Sequence, residues 1–278
     1  ISLVRVRNWN RKIHAPVWQV TEWLIVMSKI RFWQAFMQAE NVKVIFDLAE
    51  TSRDISALAA DMVGCIKIGY HWSDHSHPRA MLLSLHHVYF VWGEHYQKIM
   101  REMGSVSNLA RIGCIYDSLD ARIPISESSI EHRNKLKLNG VEYILAILDR
   151  SCHPMSHIPP DYHADFYNQL FDLLESNPKV GLIIKPKYPT PQVFDYRSDV
   201  YMNYKKAMAS NRMITLDGDR HVTEAGLASD LVVVLGPNSG GIICALQGCN
   251  VVSWDPSNAS FSPQKEWVEK NGWGDQNI

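Results

Sequence analysis

Short runs of β-branched and apolar residues recur along this chain, each followed by a stretch with helical spacing. The runs are too short to cross a membrane and too evenly apolar for strands with one wet face. They read as strands buried on both faces of a parallel sheet. Residues 42–46, 65–70, 87–92 and 110–115 form a first series, with helices expected over 18–38, 55–63, 79–86 and 93–103. Residues 141–149, 180–185, 213–216, 231–235 and 251–254 form a second, with helices expected over 162–176, 201–210, 222–229 and 239–248. Alternation of this kind predicts an α/β fold with helices on both faces of each sheet. Between the series, residues 118–140 turn polar and serine-rich around Pro124 and read as a connection. The expected organisation is therefore a first α/β domain over 1–118, a linker over 119–140 and a second α/β domain over 141–278.

Composition narrows the function. Hydrophobic residues make up 46% and charged residues 21% of the 278, enough apolar mass for two cores. The formal charge is −1, which leaves no basic excess for binding a nucleic-acid backbone. No apolar stretch of about 18 residues is free of charge, so no membrane span is expected. The nine tryptophans read mainly as core, and peripheral contact with a membrane surface stays open. Cys65, Cys114, Cys152, Cys244 and Cys249 form no CxxC pair. Their odd number and wide spacing predict buried thiols in a reduced, cytoplasmic compartment rather than a disulfide framework or a zinc site.

In open α/β sheets ligands sit beyond the carboxyl ends of the strands, so the chemistry is sought in the loops that follow them. The second half carries the clearest signals. After the run 231–235 come Gly236-Pro237-Asn238-Ser239-Gly240-Gly241 and then a helix. Glycines admit close backbone approach, and the free N–H groups of a helix N-terminus favour an anion such as a phosphate. Neither a Walker loop nor GxGxxG is present, and an ordinary capped helix fits the same residues. After 180–185, Lys185 and Lys187 flank Pro186 where a phosphate could be met; a solvated lysine pair is the plain alternative. Asp149 and Ser151 follow the run 141–149 and could bind a sugar hydroxyl or phosphate, or simply form a turn. Glu224 opens a helix, where it could hold a ribose diol or only complement the helix dipole.

In the first half, the loop after 65–70 holds His71, Asp74, His75 and His77. As a metal site the spacing matches no established zinc pattern, and no metal or other cofactor is expected. His71, Asp74 or His75 could instead serve as general base toward a hydroxyl nucleophile. Glu94, after Trp92-Gly93, reads as a helix cap.

Several of these segments, taken in order, resemble GT-B-type glycosyltransferases of bacterial surface-polysaccharide synthesis. They are similar to the CMP-Kdo-using transferases, the CDP-glycerol glycerophosphotransferases and the UDP-N-acetylglucosamine 2-epimerase group. The carriers are residues 88–100 followed by 110–118, the Lys185-Pro186 pair, and Ser239-Gly240-Gly241 followed by Ala245-Leu246-Gln247-Gly248 and Val251-Val252. Departures are Cys114-Ile115-Tyr116-Asp117 in place of the usual proline, and one serine where many relatives have two. Beginning at Ile1 and ending soon after the last run, the chain reads as truncated at both ends relative to that family.

The resemblance implies two Rossmann-like parallel-sheet domains facing a cleft. It implies a metal-independent transfer of sugar from a nucleotide-activated donor to a glycan or lipid-linked acceptor, at the inner face of the membrane or in the cytoplasm. Donor-binding residues would be Asp149, Ser151, Lys185, Lys187, Glu224, Asn238, Ser239, Gly240 and Gly241. The acceptor side would carry His71, Asp74 and His75. Two other functions fit the same resemblance, a nucleotide-sugar 2-epimerase and a non-catalytic binding module.

Overall fold

The structure, a computed structural model, describes residues 16–47, 55–70, 86–103, 108–115, 125–154 and 158–254. They fall into two compact units that meet in the chain at Cys114 and Ile115.

The first unit opens with helix α1 (Val17–Ala39), continuous through the span where helical spacing was read. Strand β1 (Val44–Asp47), helix α2 (Ile55–Val63), strands β2 (Ile66–Tyr70) and β3 (Val88–Val91), helix α3 (Glu94–Met103) and strand β4 (Asn108–Arg111) follow. The strands pair in parallel in the order β1-β2-β3-β4. Ile30 and Met37 of α1 pack on Ala59 and Ala60 of α2, whose small side chains let the two helices approach closely. Strand β4 begins earlier than its apolar run because β3 sets its register, with Val88 opposite Asn108. Ile112 and Ile115, which the run suggested as strand, are exposed beyond it.

The second unit begins with helix α4 (Glu127–Leu138), inside the stretch expected to be a linker. That expectation fails for a physical reason. The face that α4 docks buries one apolar residue, Leu136, beside polar ones, so no apolar stripe advertises it. Ser126 caps its first turn by accepting from Ser129 N–H at 3.1 Å. Ser129 Oγ then donates to Glu224 O at 3.0 Å, and Arg133 donates to Ala228 O at 3.1 Å and to Asp230 at 2.5 Å. Asp230 also accepts from Ile144 N–H at 2.8 Å, which ties α4 to the start of the sheet. Replacing Asp230 with alanine should lower stability by about 1–2 kcal/mol, because the site is about a third exposed and one backbone N–H loses its acceptor. A urea midpoint with an unchanged slope measures it.

Strand β5 (Tyr143–Leu148), helix α5 (Pro160–Ser176), strand β6 (Val180–Lys185), helix α6 (Ser198–Ala209) and strand β7 (Met213–Thr215) run outward from the centre of the second sheet. A short 3-10 turn, Gln192–Asp195, lies between β6 and α6 and has no counterpart in the sequence reading. Helix α7 (Val222–Ala228), strand β8 (Leu231–Leu235), helix α8 (Ser239–Leu246) and strand β9 (Val251–Trp254) complete the unit. The sheet is wholly parallel, in the order β7-β6-β5-β8-β9.

Both faces of this sheet are covered. Ile147, Leu182, Ile184 and Leu235 bury against Phe166, Tyr167, Phe171 and Val200 on the α5–α6 side. Ile144, Ala146, Leu148, Ile183, Val232 and Val234 bury against Leu136, Ala225 and Cys244 on the other. Continuous apolar runs are what burial on both faces requires. Because the chain leaves β5 toward β6 and returns to β8 on its other flank, strand order reverses between β5 and β8. That reversal opens a crevice at the carboxyl ends of the two strands. Among the described residues no helix is long and apolar enough to cross a membrane.

Candidate functional site

Four loops meet at the carboxyl edge of the second sheet, after β5, β6, β7 and β8. Asp149 directly follows β5. Its Oδ1 accepts from Lys187 N–H at 2.6 Å and its Oδ2 from the Tyr167 hydroxyl at 2.9 Å. The loops after β5 and β6 are thus joined through one carboxylate. Burial pushes that carboxyl up to about 6, against the lowering effect of those two hydrogen bonds and of the Lys185 and Lys187 charges.

Lys185, the last residue of β6, is only 6% exposed. Its Nζ donates to Pro186 O at 2.8 Å and to Gly218 O at 2.9 Å, so it clasps the loops after β6 and β7. Burial lowers its pKa, opposed by Asp149 and Asp219. An ammonium has three protons, and two are already placed. Lys185 therefore organises the loops, while Lys187 is the exposed cation of the pair. Ser151 Oγ lies 3.4 Å from the Tyr188 hydroxyl, and Cys152 N–H donates to Gln192 Oε1 at 3.0 Å.

On the other side of the crevice, Asn238 caps α8, its Oδ1 accepting from Gly241 N–H at 2.9 Å. Ile242 N–H bonds to Asn238 O at 3.3 Å. The N–H groups of Ser239 and Gly240 are left without a partner among the described residues, as the first turn of a helix requires. The Asn238 Nδ2 group is buried and also lacks a partner. A Cβ on Gly240 would lie 3.3 Å from Val222 and 3.4 Å from Leu148, so the first turns of α7 and α8 converge on the end of β5. Asp149 and the Asn238–Gly241 turn are thereby brought to the same crevice.

Glu224 stands somewhat apart. Its carboxylate side chain is 10% exposed and faces His132 Nε2 of α4 at 3.2 Å and Arg220 at 3.7 Å. It sits where α4 docks on α7. His71, Asp74 and His75 lie outside the described residues.

Four participants were not singled out from the sequence. Tyr167 reads there as one more apolar position of an amphipathic helix. Gly218 and His221 belong to a turn-rich segment after β7, where only Thr223 and Glu224 drew attention. His221 caps α7, with Nδ1 2.7 Å from Thr223 Oγ1. His163, in the first turn of α5, is buried, and its Nε2 has no hydrogen-bond partner among the described residues. Burial and the nearby Arg150 push its pKa down to about 4, so it stays neutral. A separate cavity of about 130 Å³ between α5 and α6, lined by Phe171, Glu175, Lys206 and Arg212, opens toward the amino ends of the strands and is not part of this crevice.

Comparison with solved structures finds the same kind of fold. S. aureus MnaA, solved with UDP, superposes with a TM-score of 0.61 at 11% identity, over 88% of this chain and 66% of that one. Anabaena HepE, solved with UDP and glucose, gives 0.52 at 14% identity, over 82% of this chain and 61% of that one. At such identities the likeness is one of fold: α/β, with Rossmann-like parallel sheets. The chain spans less than two thirds of the length of either protein. No curated protein matches the sequence. The polysaccharide biosynthesis PFTS motif family, however, matches residues 71–267, which include the strand-end loops of the second unit. The chain belongs to the polysaccharide biosynthesis PFTS motif protein family.

Proposed function

We propose that the second unit binds a nucleotide-activated sugar and that the protein transfers that sugar to a polysaccharide or lipid-linked acceptor. The observation that carries this reading is the first turn of α8. Among the described residues its Ser239 and Gly240 N–H groups face no partner, and they open where strand order reverses. A diphosphate is the anion such a turn holds best, and the developing charge on a leaving nucleotide is stabilised by the same donors. Ser239 adds a hydroxyl and Lys187 an exposed cation. Asp149 and Lys185 hold the loops in place around them. Ser151 is the nearby group for sugar or ribose hydroxyls. Membership of a polysaccharide biosynthesis family supports the acceptor class, and the UDP bound by both structural relatives supports the donor class. His71, Asp74 and His75 are the base candidates.

A thermal-shift screen against CMP, CDP, UDP, GDP and their sugar conjugates tests the donor site. A ligand that binds only the folded state at about 100 times its Kd adds about 2.7 kcal/mol, which raises Tm by roughly 5–10 °C for a unit of this size. One nucleotide class should produce such a shift, and a flat response to all of them would count against the reading. Turnover of the shifting nucleotide-sugar without any acceptor would point to the epimerase alternative instead of transfer.

A further inference from the structure

Helix α8 ends in a tight reversal. Gly248 follows it at φ +86°, the left-handed region that glycine enters without strain. Cys249 N–H donates to Cys244 O at 3.0 Å and Gly248 N–H donates to Ala245 O at 2.9 Å. These are the two bonds of a Schellman turn, in which the residues at the ends of the outer bond press their side chains together. The contact is commonly apolar. Here both side chains are cysteines.

The facing helix leaves room for the two sulfurs. A Cβ on Gly226 of α7 would lie 2.8 Å from Cys244 Sγ and 3.2 Å from Cys249 Sγ, so both sulfurs border the same small gap. Both are free thiols; Cys244 is fully buried and Cys249 is half-buried. The Cys244 S–H has two acceptors in reach, Val222 O at 3.7 Å and the Cys249 sulfur. Donation to Cys249 lowers the pKa of that thiol, and the same bond, with burial, holds Cys244 protonated. The more accessible sulfur is thus also the readier nucleophile.

We propose that Cys244 and Cys249 are a dithiol modification site, which a small disulfide such as oxidised glutathione converts reversibly into an intrachain disulfide. The Cys249 thiolate attacks one glutathione sulfur, forming a mixed disulfide and releasing one glutathione, which takes up the proton Cys249 lost. Cys244 then gives up its proton, attacks the Cys249 sulfur and expels the second glutathione. Two protein thiols are oxidised by two electrons, and one glutathione disulfide is reduced to two glutathiones. The bridge ties the end of α8 to the chain entering β9, at the opposite end of the helix from the proposed phosphate site. It does not depend on what that site binds.

The full chain, reduced and then incubated with oxidised glutathione, is alkylated and weighed intact, and its peptides are mapped. The expected result is the loss of two alkylatable thiols out of five, with one peptide pair joined through Cys244 and Cys249 and both thiols recovered after dithiothreitol. Cys244→Ser should instead retain one glutathione on Cys249. Two findings would overturn the proposal: both thiols still alkylatable in the wild type, or a bridge that pairs either with Cys65, Cys114 or Cys152. The wild-type mass decides the matter even if the variant does not fold.

Discussion

Lys185→Met lowers the stability of the second unit by about 2–4 kcal/mol, a fall in Tm of roughly 5–15 °C. The Nζ group of Lys185 holds the carbonyls of Pro186 and Gly218 at 2.8 and 2.9 Å, and methionine fills similar space without a donor. Both carbonyls then lose their partner in a buried setting, while the relief of one buried charge offsets part of the cost. The loops after β6 and β7 should loosen together, so proteolysis would concentrate between residues 186 and 221. A variant that kept wild-type stability but lost nucleotide binding would show that the ammonium faces the ligand instead. Lys187→Ala serves as the contrast. Its side chain is exposed, so nucleotide affinity should fall with little change in Tm.

Asp149→Asn changes how stability depends on pH. In the folded protein burial raises this carboxyl from 3.8 to about 6. The folded state therefore binds its proton more tightly than the unfolded state does. Its stabilising contribution is complete below about pH 4 and is lost as pH rises through 6. The difference between wild type and variant should change by roughly 2–3 kcal/mol between pH 4 and pH 7, in favour of the variant at the higher pH. Asparagine retains an acceptor for Lys187 N–H, and its amide can donate to the Tyr167 hydroxyl, so the loops stay joined. Urea midpoints from pH 4 to 8 read the effect directly. Parallel curves for the two proteins would mean that Asp149 ionises normally in the fold.

Much of the second sheet was legible in the sequence. The bounds of β6, β8 and β9 coincide with the apolar runs, because strands buried on both faces carry their signal in every residue. Helix α4 was not legible, since it docks through Ser129, His132 and Arg133 with Leu136 alone for an apolar contact, which makes no stripe. The crevice was found by a topological rule that needs only strand ends, which is why Asp149 and the Asn238–Gly241 turn were singled out. The two carbonyls that Lys185 holds were not legible. A lysine after a buried strand can reach outward to a ligand or fold back onto carbonyls, and only the packed loops decide which. Tyr167 and Gly218 carry no local signal at all, because their partners lie in loops distant along the chain.

The central claim is that the phosphates of a nucleotide rest on the first turn of α8, and one substitution tests it. Proline is accepted at the first position of a helix, where it needs no N–H, and the extended backbone of Asn238 (φ −149°, ψ 160°) is the conformation favoured before proline. Ser239→Pro therefore removes one open N–H and the hydroxyl without disturbing the helix. Isothermal titration of wild type and Ser239→Pro, with the nucleotide that shifts Tm, is the direct measurement. The account predicts tight binding to the wild type, at least tenfold weaker binding to the variant and equal melting temperatures for the two unliganded proteins. Undiminished affinity in a folded Ser239→Pro variant would contradict it.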